Sequence, residues 1–126
     1  LYNYFREGIP DPNAIKDFRY LKPLGGSCID LSHLVEDKEH RYKNYLRTVE
    51  TVKRFKVGCN HLSAIKKDFS SWHYANNISE FDYVTEISKK YFSRYINLEV
   101  GNSIPEQLKF KRYIAKKLYK AWNKKS

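Results

Sequence analysis

The stretch CIDLSHLVEDKEHRYKNYLRTVETVKRFKVGC, residues 28 to 59, decides how the chain is read. It contains both cysteines and, between them, the longest helical pattern in the sequence. Tyr42, Tyr45, Leu46, Val49, Val52 and Phe55 lay one apolar stripe along a 3.6-residue helix. Gly58 predicts where that helix stops, because glycine supplies the left-handed cap, and Lys53, Arg54 and Lys56 suit the negative end of the helix dipole. Cys59 is then expected just past the C-terminal end. Upstream, Gly25 and Gly26 read as a turn. Ser27, with Asp30 three residues on, reads as a helix N-cap that puts Cys28 at the start of a shorter helix.

One rod over 27 to 57 would be roughly 45 Å long at ~1.5 Å per residue. A disulfide needs Cα atoms within about 7 Å, so the cysteines meet only if the chain folds back. Val35 to His40, mostly polar and out of register with the stripe, is the expected point. The reading that follows is a Cys28–Cys59 disulfide, with two unpaired buried thiols as the alternative. Cys28, His33, Cys59 and His61 have the residue types of a zinc site. The spacing counts against it. Five residues on one helix rotate Cys28 and His33 about 140° apart, and Cys59 and His61 converge only if their segment is extended. No metal and no cofactor are therefore expected.

The remainder of the chain extends the helical pattern. Residues 1 to 10 read as an irregular arm carrying Tyr2, Tyr4 and Phe5, and Asp11-Pro12 opens a short helix that Pro23 ends. Asn60 reads as the cap of a helix with Leu62, Ile65, Phe69 and Trp72 on one stripe. Ser79 opens another through Phe81, Val84, Ile87, Tyr91 and Tyr95. Pro105 starts a last helix, 105–125, with Phe110, Ile114, Leu118 and Trp122 facing inward. No segment alternates as strands do and no repeat is present. The expected fold is all-α: one domain over 1–126, a compact bundle of five or six helices.

With 126 residues the chain can bury roughly two thirds of its unfolded surface. It contains no methionine and no apolar run near the ~18 residues that cross a bilayer, so no transmembrane segment is expected. Absence of an initiator, an even cysteine count and the sequon Asn77-Ile78-Ser79 fit a processed, secreted, extracellular chain, and an excised intracellular domain is the alternative. The net charge of +10 is concentrated at one end: residues 106 to 126 carry eight basic side chains and one acidic.

That distribution shapes the functional reading. His33, His40, His61 and His73 lack any nucleophile, base or metal partner at a recognisable spacing, so no enzyme is expected. Lys109, Arg112, Lys116, Lys120 and Lys124 recur at steps of three and four. With Lys111 and Lys117 they form the candidate binding surface, for an acidic face of a protein complex or a sulfated glycan. Interleaved Phe110, Tyr113 and Trp122 keep nucleic acid open as a partner. Taken with Cys28 and Cys59, this Lys-rich tail resembles, in format, the small basic salivary proteins of blood-feeding insects such as mosquitoes. The resemblance implies a secreted, non-enzymatic inhibitor of a host-defence complex, of complement or of contact-phase coagulation. A nucleic-acid-binding helical module and a structural domain of a larger intracellular protein are the alternatives.

Overall fold

The structure, a computed structural model, describes residues 27–124. The aromatic arm and the helix expected between 11 and 23 lie outside the described residues. Within them the chain is a mixed α/β fold and not the expected all-α bundle, because its centre is a parallel three-stranded sheet. In chain order the elements are β1 (Ser27–Asp30), α1 (Leu31–His40), α2 (Tyr42–Arg54), β2 (Val57–Leu62), a small hairpin β3 (Ala64–Ile65) and β4 (Ser71–Trp72), 3-10 segments Ile78–Glu86 and Lys89–Tyr91, β5 (Ile96–Leu98) and α3 (Ile104–Trp122). The sheet runs β1-β2-β5, every pair parallel.

Capping chemistry explains where the helices begin. Asp30, not Ser27, caps α1: its carboxylate accepts the His33 N–H at 2.9 Å and the Ser32 hydroxyl at 2.5 Å. Cys28 is thereby left in strand β1. The fold-back expected near 35–40 occurs at Arg41, whose φ of −140° and ψ of 68° separate α1 from α2. Its guanidinium also ties back to Glu36 at 3.1 Å and Asp37 at 3.4 Å. Helix α2 ends at Arg54, and Phe55 is already extended, so Gly58 falls inside β2 and does not cap a helix.

A second correction concerns residues 60 to 100. Asn60 is not a cap: it lies in β2, fully buried, and its amide donates to the Ile29 and Tyr91 carbonyls at 3.1 and 2.8 Å and accepts the Ser93 N–H at 2.6 Å. One side chain thus joins β1, β2 and the segment leading to β5. The stripe Leu62, Ile65, Phe69, Trp72 is not helical either. Asp68 accepts the Ser70 N–H in a tight turn and Phe69 stands at φ 64°, a left-handed backbone that ends any helix and makes the β3–β4 hairpin. From Ser79 onward the inward residues Phe81, Val84, Ile87 and Tyr91 are indeed buried, but on two short 3-10 segments and, for Ile87, the extended link between them, and Tyr95 is exposed. Asn77 starts the first of these with a capping box to Glu80.

Helix α3 starts as expected, with Ser103 as N-cap and Pro105 in the first turn, but ends at Trp122 and not at 125, and Trp122, expected inward, is 38 % exposed. Phe110, Ile114 and Leu118 are buried in one row against the first 3-10 segment, Phe110 meeting Phe81 at 5.0 Å between ring centres. Asn102 fixes its entry by pairing twice with the backbone of Ala75, at 2.9 and 3.0 Å. No helix among the described residues is long and apolar enough to cross a membrane.

Candidate functional site

Three places in the described residues gather chemistry. The first is one face of the sheet. Strand side chains alternate between faces, and residues paired across parallel strands point the same way. The register pairs Cys28 with Cys59 and Asp30 with His61, so a Cys-x-Asp and a Cys-x-His stand side by side. Cys28, Cys59 and His61 each offer a ligand atom within 4.8 Å of the other two, and Asp30, His61 and Glu99 do likewise. Glu99, just past β5, accepts from or pairs with His61 Nδ1 at 2.9 Å, and His73 Nε2 lies 3.9 Å from the other carboxylate oxygen. Both cysteines are half-buried free thiols. Burial, the adjacent Cys59 sulfur and the Asp30 charge push the Cys28 thiol up to about 12. The two sulfurs expected to meet by folding of a helical hairpin are thus brought together by strand register. His33, the fourth member of the rejected zinc set, lies on α1 beside Asp30, 3.7 Å away.

The second place is α3. Lys109, Lys111, Arg112, Lys116, Lys120 and Lys124 are all exposed, as expected, but they do not form one surface. At ~100° per residue Lys109, Arg112, Lys116 and Lys120 cluster on one side, whereas Lys111 falls roughly 145° from their centre and Lys124 lies past the end of the helix. Lys117 is half-buried and engaged: it lies 3.6 Å from Asp82, which also accepts the Tyr113 hydroxyl at 2.5 Å. That hydrogen-bonded neighbourhood, Tyr113 first and then Asp82, raises the Lys117 pKa. Around Lys111 stands a row that sequence reading missed: Ile104, Leu108, Ala115 and Tyr119, with Ile104 74 % and Tyr119 71 % exposed. The signal was present in the spacing of four, seven and four residues, which keeps the row on one side of the helix, but the inward row has the stronger apolar pattern.

The third is a cleft of about 620 Å³ in which Lys56, Lys89, Lys90 and Arg94 surround Phe55, Phe92 and Trp122, with no carboxylate in its lining. Trp122 meets Phe92 edge-on at 5.0 Å and receives Lys89 over its ring at 5.4 Å. A further cleft of about 490 Å³ between α1, α2 and the 3-10 segments is lined mainly by apolar groups with Lys38, Glu39, Glu86 and Lys90 at its edges, and holds no nucleophile paired with a base. His40 is occupied elsewhere, with Nε2 2.6 Å from the Asp68 carbonyl. No protein-family model, curated protein or solved structure matches the chain.

Proposed function

We propose that this protein is a non-enzymatic binding protein that docks α3 on an acidic protein surface. The observation that carries the reading is the way α3 is held: of 19 residues, only Phe110, Ile114 and Leu118 are buried. A helix so narrowly anchored presents its other faces outward. One is cationic, with Lys109, Arg112, Lys116 and Lys120 and with Lys124 just past its end, and beside it runs the apolar row Ile104, Leu108, Ala115 and Tyr119. Charge alone would suit a sulfated glycan equally well. An exposed apolar row adjoining the charge suits a protein, whose interfaces combine an apolar core with a polar rim. Secretion and inhibition of a complement or contact-phase coagulation complex are the finer form of this proposal, supported by the format of the sequence.

A second reading has its own observation. The Lys56, Lys89, Lys90 and Arg94 cleft with Phe92 and Trp122 combines cations with rings in the manner of single-stranded nucleic-acid grooves, where bases stack and phosphates are neutralised. Two variants separate the readings. Charge reversal of Lys109, Arg112, Lys116 and Lys120 together is expected to slow association with an acidic protein target at least tenfold and leave any oligonucleotide binding intact. Reversal of Lys89, Lys90 and Arg94 is expected to do the opposite if nucleic acid is the partner. Retention of full target binding by the folded α3 variant at low salt would sink the first reading.

A further inference from the structure

We infer that the sheet face bearing Cys28, Cys59 and His61 is a binding site for a soft or borderline divalent cation, zinc by preference. Helical geometry would keep these ligands apart, but Cys28, Cys59 and His61 stand on strands. On a strand, residues two apart share a face, so Cys59 and His61 converge, and parallel register sets Cys28 directly beside Cys59. Their three ligand atoms lie within 4.8 Å of one another. A tetrahedral zinc with Zn–S of ~2.3 Å and Zn–N of ~2.0 Å needs these ligands about 3.5–3.8 Å apart, so a contraction of at most about 1.3 Å closes the site.

Donor chemistry selects the metal class. Two thiolates and an imidazole suit zinc and disfavour magnesium or calcium, which take oxygen ligands. Binding replaces two thiol protons, released to solvent, with one dication, and the resulting two-thiolate centre is formally neutral. The surroundings match what such a centre requires. Glu99 at 2.9 Å holds His61 by Nδ1, so coordination through Nε2 would complete the carboxylate–histidine arrangement that fixes ring orientation at zinc sites. Asp30 lies within the same 4.8 Å limit of His61 and Glu99, while its bonds to His33 N–H and Ser32 tie it to the start of α1. Three protein ligands leave the fourth position for water or a partner's group. In this state the sulfurs act as thiolates and not as a disulfide.

The probe is cobalt(II), added to the reduced protein. One equivalent is expected to give thiolate-to-cobalt charge-transfer absorption and the strong visible bands of tetrahedral cobalt, both abolished by added zinc. His61→Ala is expected to weaken binding at least tenfold, and Glu99→Gln by 10–100-fold with the charge-transfer band retained. Reversal of the α3 cations should leave the spectrum unchanged, which keeps this site distinct from the docking surface. Because Cys28→Ser or Cys59→Ser could disturb the sheet, a second measurement uses the unaltered protein: zinc should protect both thiols from alkylation, read by mass. An absent charge-transfer band, an octahedral spectrum, thiols alkylated equally fast with and without zinc, or a folded His61→Ala variant that binds cobalt as tightly as the parent would each overturn the inference.

Discussion

Asn60 shows how much one polar side chain can decide. Buried with its amide satisfied by two carbonyls and one N–H, it joins three parts of the chain that sequence separates by about thirty residues. Truncation to alanine would orphan those backbone groups in the interior, at roughly 1–3 kcal/mol for an unmet buried group. Asn60→Ala is therefore expected to lower stability by about 3 kcal/mol, read as a drop in urea midpoint at unchanged slope. Glu80 makes a pH-dependent counterpart. Burial opposes its charge, but the Lys66 ammonium at 2.8 Å and the N–H groups of Asn77 and Asn76 outweigh that and hold its carboxyl below the usual range. A folded-state pKa depressed in this way stabilises above the unfolded value and loses that contribution as pH falls through the folded one. Glu80→Gln should thus cost about 1 kcal/mol at neutral pH, with the gap from the parent closing in acid. A gap that persists at pH 2 would show that the charge is not its source.

At the scale of the element, α3 divides into residues that hold it and residues that it displays. Phe110 is buried against Phe81, and its removal should cost about 3–5 kcal/mol. Leu108, only two residues away in sequence, is 48 % exposed and its change to alanine should stay within about 0.5 kcal/mol. If the exposed row serves docking, Leu108→Ala and Tyr119→Ala will instead appear in the dissociation rate from the acidic target, with thermal stability unchanged. Trp122 stands between these classes: it packs on Phe92 and carries Lys89 on its ring, so its loss should both loosen the end of the helix and open the neighbouring cleft.

For the whole molecule, charge sets the manner of encounter. With +10 overall and eight of the cations in the last 21 residues, the field is strongest around α3. Exposed charges are screened beyond ~8 Å at physiological ionic strength. Association with an acidic partner should therefore slow steeply as salt rises while dissociation changes little, and the four-residue reversal on α3 should flatten that dependence. Stopped-flow or surface-binding rates across a salt series check both slopes. An association rate insensitive to salt would place the working surface away from the cationic face.

The sequence by itself determined most of α3: its opening proline, its buried Phe110, Ile114 and Leu118 and most of its exposed lysines follow from local spacing, which depends on neighbours within a turn. It likewise marked the buried residues Phe81, Val84, Ile87 and Tyr91 and the fold-back between the cysteines. Only tertiary structure decided the sheet. Ser27–Asp30 and Val57–Leu62 show no apolar alternation, because in a parallel sheet neither face need be uniformly polar, and here one face carries Cys28, Asp30, Cys59 and His61 while the other carries Ile29, Asn60 and Leu62. Strand pairing is a contact between distant segments, so the register that sets Cys28 beside Cys59, and with it the site on that face, is written in how the two strands meet and not in either one alone.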